Sequence, residues 1–300
     1  MVTPRQYATA GALRAALETR LLERSRRDDV DLQRLRRQVA FDRLLARMFD
    51  PAHAARGGWV LKGGYALELR FQQARTTKDL DLTVRAVASG LGVEQTTVAS
   101  LRERLQTAAA VRLPDFFTFV VGEEMLTLDE APEGGARFPI DARIDGRTFV
   151  KFHVDLGAGD EVLDPLDEVV GEDWLGFAGI THIVVPALSA EQHWAEKLHA
   201  YTRPREGRTN TRVKDLIDFV LLIDRETLDG ARVLGAVQAT FDRRCTHDIP
   251  RELPAPPADW EKSFAVLARE CELAYTPLTA HAQVNEFWQG LNPESTSIDQ

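Results

Sequence analysis

Two aspartates in one short segment are the side chains best suited to chemistry. Asp79 and Asp81 lie in the run TKDLDLTV, whose polar and apolar residues alternate as in a β-strand. Because side chains alternate along a strand, we expect both carboxylates on one face, with Leu80 and Leu82 in the core. Two like charges at this spacing repel each other, and a hard divalent cation such as Mg²⁺ is a suitable counter-ion.

A third carboxylate, Asp155, ends the alternating run FVKFHVDL. In a strand this run places Phe149, Lys151, His153 and Asp155 on one face. If the strand lies beside the first, three carboxylates meet at one place, which is the arrangement used for two-metal phosphoryl or nucleotidyl transfer. We expect His153 to be an ordinary strand histidine.

A pair of glycines precedes the aspartates. Gly63 and Gly64 separate GWVLKG, a predicted strand, from YALELRF, a predicted helix that starts near Tyr65. Without side chains, their backbone N–H groups can approach phosphate oxygens closely. The positive end of the helix would point at the same phosphates. The combination predicts a nucleoside triphosphate site.

The remaining pattern predicts an α+β fold. Helices are expected over residues 5 to 49 and 97 to 109, and Asp145-Gly146 predicts a β-hairpin. After the strand THIVVPAL, Ser189 should begin a helix through a Ser-x-x-Gln capping box, and Thr211 could cap another. Further helices are expected at about 260 to 275 and 280 to 290. We therefore expect an N-terminal helical segment (1–50), a mixed-sheet core (51–188) and a C-terminal helical lobe (189–300).

Composition narrows the class of protein. The net charge of -9 argues against a generally basic nucleic-acid-binding surface, although a local arginine cluster with few acids nearby could contact RNA: Arg203, Arg205, Arg208 and Arg212. Two cysteines suit a reducing cytosol, and neither a signal peptide nor an apolar run of about 18 residues is evident. We expect a cytoplasmic protein with no membrane partner.

Five pieces of sequence carry a resemblance to a known family. LKGGYALELR, RTTKDLDL, FHVDL, AEKLHA and RVKDLIDF, spread over residues 61 to 220, resemble the AbiEii-like toxins of bacterial type IV toxin–antitoxin systems, within the nucleotidyltransferase superfamily. The resemblance implies a nucleotidyltransferase-like core with helical lobes, transfer of nucleotides from an NTP, and a cognate antitoxin. In the MenT branch of that family the acceptor is the 3′ end of tRNA, so aminoacylation and translation are blocked.

The resemblance also implies roles for individual residues. Asp79 and Asp81 would hold metal ions, expected to be two Mg²⁺, and Thr77 could touch the phosphates. Lys197 would bind phosphate, and Asp215 would be the acid on the later helix. Two further assignments come from residue chemistry alone and leave alternatives open: Asp155 as general base or as ligand of the second metal, and Arg75 as a phosphate partner or an exposed loop arginine.

Two other functions remain open at this stage. The enzyme could nucleotidylate a protein hydroxyl, for instance on its antitoxin. Alternatively, the acidic residues could belong to a non-catalytic module that binds a nucleotide and a partner protein.

Overall fold

The structure is a computed structural model that describes residues 6–50, 52, 58–71, 73–85, 97–127, 132–205 and 207–291. The chain divides into two compact units. The first comprises Met1–Arg70, Thr76–Asp160 and Glu168–Ala187, and the second Phe71–Arg75, Glu161–Asp167 and Leu188–Gln300. The boundaries expected near residues 50 and 188 stay a prediction.

The first unit contains a mixed sheet and four of the described helices. The helices are α1 (Ala10–Asp28), α2 (Leu32–Met48), α3 (Gly63–Arg70) and α4 (Val98–Ala109). The strands are β1 (Trp59–Lys62), β2 (Asp79–Val84), β3 (Phe117–Val121), β4 (Leu126–Thr127), β5 (Gly135–Ile144), β6 (Arg147–Ala158), β7 (Asp167–Val170) and β8 (Val184–Ala187). Their order is β3-β5-β6-β2-β1-β8-β7, with β4 paired to β5. The predicted α+β fold with a mixed-sheet core is confirmed.

Strand β2 lies near the centre of the sheet, parallel to β6 and antiparallel to β1. Its alternate residues Leu80 and Leu82 are fully buried, as the alternation predicts. Phe41 of α2 packs edge-to-face against both Tyr65 and Phe152, with ring centroids 4.8 Å apart in each case. The Tyr65 hydroxyl also donates a hydrogen bond to Asp42. These contacts fix helix α3 against α2 at the end of β1.

The predicted hairpin between β5 and β6 is confirmed. Asp145 and Gly146 have φ angles of 58° and 68°, as a tight two-residue turn of the primed type requires. A register shift follows at Ala142/Arg143, and it leaves Phe149 without a cross-strand partner. The expectation that Phe149 shares the polar face of Lys151 was wrong, because Phe149 is buried at this bulge and packs edge-to-face on Phe117.

The regular secondary structure of the second unit consists mainly of helices. It contains α5 (Ala190–Thr202), α6 (Val213–Arg225), α7 (Gly230–Arg244), α8 (Glu261–Glu270) and α9 (Pro277–Leu291). Trp194 of α5 is fully buried against Phe219 of α6 and Trp288 of α9. No helix in the described ranges combines the length and the apolar character needed to cross a membrane.

Two details of helix capping differ from expectation. Ser189 does cap α5 by accepting a hydrogen bond from the Gln192 backbone, but the Gln192 side chain is not the second half of a capping box. It bonds instead to the backbone of Glu161 and Leu163. Thr211 does not cap α6, because the helix begins one residue later, after Arg212, with no side-chain cap.

Candidate active site

The three predicted carboxylates lie on neighbouring strands. In the parallel pairing of β2 with β6, Asp81 lies opposite Asp155, and Asp79 lies opposite His153. Residues that lie opposite each other in a sheet share a face, so all three carboxylates and the histidine stand on the same side. His153 is not an isolated strand residue, since its Nδ1 lies 3.2 Å from Asp79 Oδ1.

Arg137 neutralises part of this acidic face. It lies opposite Asp155 in the β5–β6 pairing. Its Nε and Nη2 donate hydrogen bonds of 2.8 and 2.7 Å to the two oxygens of Asp155, and Nη2 is also 3.4 Å from Asp79 Oδ2. The hydrogen bond and negative charge of Asp155 raise the pKa of the Arg137 guanidinium. Sequence reasoning missed this residue.

The glycine pair fits around Asp81. Gly63 has a φ of +69°, and a Cβ built there would lie 2.0 Å from Asp81 Oδ2. A side chain is therefore excluded both by backbone conformation and by space. The backbone of Gly64 hydrogen-bonds the Asp81 carboxylate. Helix α3 starts at Gly63, two residues earlier than expected, so the glycines form its first turn and hold Asp81.

The protonation of Asp81 reflects this crowding. Burial, followed by the negative charge of Asp155, raises the pKa of Asp81 to about 6. The charge of Lys62 and the hydrogen bond from Gly64 oppose the shift without cancelling it. Lys62, which lies opposite Asp81 on β1, is itself paired with Asp160. The carboxylate is thus less stable as an anion than an ordinary aspartate, first because it is buried and second because Asp155 lies beside it.

Thr77 supports the start of β2. Its side chain is buried, and its Oγ1 donates a hydrogen bond of 3.2 Å to the backbone oxygen of Asp79. This contact holds the backbone at the first aspartate. The expected contact with phosphates stays a prediction.

The second unit contains a separate buried ion network. Lys197 Nζ lies 2.6 Å from Asp218 Oδ2 and 3.2 Å from Asp215 Oδ1. Arg75 donates hydrogen bonds of 2.9 and 2.7 Å to the two oxygens of Asp218. Burial pushes the pKa of Asp218 upward, but Arg75 and Lys197 outweigh it and hold the pKa at about 2. Likewise, burial opposes the charge of Lys197, and the two aspartates nevertheless raise its pKa.

This network includes three residues that the sequence had singled out, namely Lys197, Asp215 and Arg75, and adds Asp218. Asp218 is three residues after Asp215 on α6, so the spacing placed both on one helical face. That spacing was the available signal for Asp218. Asp215 Oδ2 is buried and makes no hydrogen bond within the described part of the chain.

The arginine cluster after α5 is not uniform. Arg205 donates from its guanidinium to the backbone oxygens of Ala200, Tyr201 and Arg203, so it satisfies carbonyls at the end of α5. Arg208 is exposed, whereas Arg203 and Arg212 are half-buried. Arg205 thus has a structural role that the sequence did not indicate.

The donor set of the acidic face suits a divalent cation. Three carboxylates on adjacent strands supply the hard oxygen ligands that such ions prefer. As the side chains stand, no group of three or more His, Cys, Asp or Glu residues within the described ranges has the geometry of a metal site. Asp79, Asp81 and Asp155 nevertheless fit a divalent metal by chemistry and by their position on one face.

Comparison with known proteins identifies the family. The profile described as nucleotidyl transferase AbiEii toxin, type IV TA system, matches residues 43–284. The chain belongs to this family of nucleotidyltransferase toxins. Membership implies a cognate antitoxin, and nucleotidyltransferases in general use an NTP and a divalent metal. The predicted resemblance to AbiEii-like toxins is confirmed.

One of the similar solved structures, MenT4, shares this fold at low identity. MenT4, a nucleotidyltransferase toxin from Mycobacterium tuberculosis H37Rv, is 18% identical with a TM-score of 0.53, and the match covers 96% of this chain and 99% of MenT4. JHP933 from Helicobacter pylori is 13% identical with a TM-score of 0.42, over 86% of this chain and 93% of JHP933. A search of curated proteins gave no significant match.

We predict that Gly63→Ala destabilises the protein more than Gly146→Ala. Both glycines have a φ near +69°, but a Cβ at Gly146 would meet no described atom within 4 Å. Gly146→Ala should therefore lower the free energy of unfolding by about 1–2 kcal/mol, the conformational cost alone. Gly63→Ala adds the collision with Asp81 and should cost about 1–3 kcal/mol more. Chemical denaturation measures both, and equal losses would contradict the close fit of Gly63 around Asp81.

The raised pKa of Asp81 predicts a pH-dependent gain in stability for Asp81→Asn in metal-free protein. The folded protein binds this proton more tightly than the unfolded chain, so stability falls as pH rises from about 4 to 6. Asparagine does not titrate. The difference between variant and wild type, measured by denaturation in EDTA, should therefore grow over that range by at most about 3 kcal/mol and then level off. A difference independent of pH would show that Asp81 ionises normally.

Proposed function

We propose that this toxin transfers nucleotides from an NTP to the 3′ end of tRNA, with two Mg²⁺ ions, in the cytoplasm. The observation that carries the proposal is the β2–β6 register, which sets Asp81 opposite Asp155 and puts Asp79 on the same face. Family membership supports the nucleotidyl transfer. The tRNA acceptor rests on the resemblance of its motifs to the MenT branch, and MenT4 shares the fold.

The reaction breaks a phosphoanhydride bond of the NTP and forms a phosphoester bond to the acceptor. A hydroxyl oxygen of the acceptor attacks the α-phosphorus of the NTP, the bond to the β-phosphate oxygen breaks, and pyrophosphate leaves. The hydroxyl proton passes to a base, for which Asp155 is a candidate when it is not a metal ligand. Asp79, Asp81 and Asp155 would hold the divalent cations, which when bound supply neutralisation of the triphosphate charge.

Other residues are assigned to the nucleotide. In our proposal Gly63 and Gly64 turn the start of α3 toward the phosphates and keep Asp81 in position. Thr77 holds the backbone of Asp79 and is a candidate phosphate donor. Lys197 and Asp215 retain the roles of phosphate-binding cation and its acidic partner, supported by their mutual ion pair of 3.2 Å. Arg75 acts through Asp218, which it shares with Lys197.

A protein hydroxyl is the second candidate acceptor. The observation that favours it is the net charge of -9, which disfavours an extended polyanion such as RNA. A non-catalytic nucleotide-binding module would bind NTP without turnover. One labelling experiment separates these three functions.

Purified protein incubated with total tRNA, a bacterial lysate fraction, Mg²⁺ and each α-labelled NTP should label tRNA. Asp79→Ala should lower the rate at least about 100-fold, because the divalent cation that neutralises charge in the transition state loses a ligand. Asp141→Ala is the matched control, since Asp141 on β5 pairs with Arg143 instead. It should keep near-wild-type activity.

The position of the label decides the outcome. Label in protein that disappears in Asp79→Ala would replace tRNA by a protein acceptor and keep the chemistry. Label that persists in Asp79→Ala would contradict the assignment of Asp79 to the active site. NTP binding with no transfer to either fraction would favour the non-catalytic module.

Two neighbouring arginines should behave differently if the acceptor is tRNA. Arg208 is exposed, so Arg208→Gln should weaken tRNA binding and reduce the slope of log K against log salt by about one. Arg205→Gln should instead lower the free energy of unfolding by about 1–2 kcal/mol, because the end of α5 loses its charged donors. Filter binding of tRNA over a salt series tests Arg208→Gln, and thermal denaturation tests Arg205→Gln. An unchanged salt slope in Arg208→Gln would exclude it from the RNA-binding surface.

A further inference from the structure

Arg137 occupies both oxygens of a proposed metal ligand. Its Nε and Nη2 hydrogen-bond Asp155 Oδ1 and Oδ2 at 2.8 and 2.7 Å, and Nη2 extends to Asp79 Oδ2 at 3.4 Å. A guanidinium bound to both oxygens in this way is a geometrically specific and strong partner for a carboxylate. A divalent cation at Asp155 would have to share the same oxygens with a second positive charge.

The exposure of this pair differs from that of two other bidentate arginine–aspartate pairs. Arg47–Asp115 and Arg75–Asp218 lie inside the protein, with side-chain exposures of 0%/0% and 9%/0%. The Arg137–Asp155 side chains are 31% and 14% exposed. Separating a buried pair leaves unpaired charges in the interior, whereas Arg137 can turn to solvent and remain hydrated. The two buried pairs are permanent, and the exposed pair can open.

The charges on this face also require such a partner. Three carboxylates stand on adjacent strands, and Lys62, the cation opposite Asp81, is already paired with Asp160. Arg137 bridges Asp155 and Asp79, the two carboxylates on its side of the cluster.

We infer that Arg137 is a built-in counter-ion that competes with the divalent metal for Asp155. In the metal-free protein it bridges Asp155 and Asp79 and holds both side chains in place. When a cation is loaded, Arg137 gives up Asp155 and turns outward. Arg137 is thus a positioning residue that sets the metal affinity of the site. The inference rests on the proposed function, in which Asp79, Asp81 and Asp155 bind the metal.

The test is direct binding of Mn²⁺ to the full chain, with and without a non-hydrolysable NTP analogue. Free Mn²⁺ is measured by electron paramagnetic resonance, and the heat of binding by calorimetry. Arg137→Gln should bind Mn²⁺ more tightly than wild type, on the order of tenfold or more, because a charged bidentate hydrogen bond no longer competes. Without metal, Arg137→Gln should melt at a lower temperature than wild type, because the carboxylates lack their counter-ion. For the same reason, Mn²⁺ should raise its melting temperature by more than it raises that of wild type.

Three further variants make the result unambiguous. Arg143→Gln is the matched control, because Arg143 is on the same strand and pairs with Asp141 at 2.7 Å. It should bind Mn²⁺ as wild type does. Arg137→Lys keeps the positive charge but loses the bidentate hydrogen bonds, so its gain in Mn²⁺ affinity should be smaller. It also replaces Arg137→Gln in the test if that variant does not fold. Asp81→Asn should lose the binding.

The outcomes separate this inference from the proposed function. If wild type binds Mn²⁺ and Asp81→Asn does not, the metal site stands. Affinity in both Arg137 variants that equals or falls below wild type would then overturn the competition alone. If wild type binds no Mn²⁺ that depends on Asp81, with or without the analogue, the proposed metal site fails and the competition fails with it.

Discussion

Repulsion among three carboxylates on the β2–β6 face is the constraint on which the rest of the site depends. The parallel register places Asp81 opposite Asp155 and keeps Asp79 two residues away on the same face. Strands hydrogen-bonded in a sheet cannot move apart to relieve such repulsion. The surroundings must therefore supply compensation. Arg137 bridges two of the acids, His153 contacts Asp79, and Gly63 leaves space in which Gly64 can hydrogen-bond Asp81.

The compensation is incomplete, and that is informative about function. Burial first, and then the negative charge of Asp155, raise the pKa of Asp81 to about 6 despite the charge of Lys62 and the hydrogen bond from Gly64. Repulsion among the carboxylates costs stability in the metal-free protein, and it would favour binding of a cation. A site of this kind is less stable empty than an apolar face would be, as is common where binding or catalysis requires strained or charged groups. The opposite face of strand β2 compensates for this cost by packing in the core, where Leu80 and Leu82 are fully buried.

The sequence predicted the acids and their face but missed the charges that accompany them. Alternation placed Asp79 and Asp81 together, and the turn at Asp145 and Gly146 predicted the β5–β6 hairpin. A hairpin without irregularities would have set Arg137 opposite Val154, on the core side. The bulge at Phe149 shifts the register by one residue, and this shift brings Arg137 opposite Asp155.

A bulge depends on packing that a local pattern does not encode. Phe149 is buried because it packs on Phe117 of β3, and the sequence analysis did not predict that strand. The same limit applies to Arg75 and Asp218, which are 143 residues apart in the chain. Helical spacing could place Asp218 on the face of Asp215, but only the fold determines which cation reaches it. Local patterns therefore identify residues that share an element, while charge partners from distant segments require tertiary structure.

The two clusters of charge show how burial divides structural ion pairs from exchangeable ones. In the second unit, Asp218 is fully buried and is shared by Arg75 and Lys197, so removing either cation would leave uncompensated charge in the interior. On the β2–β6 face, Arg137 reaches solvent, and its separation from Asp155 has no comparable cost. Water can accept the hydrogen bonds that the guanidinium donates, and a metal cation can coordinate the carboxylate oxygens in place of the guanidinium. In our proposal the acidic face therefore exchanges its counter-ion without unfolding, as a site that accepts and releases a charged substrate in each turnover would require.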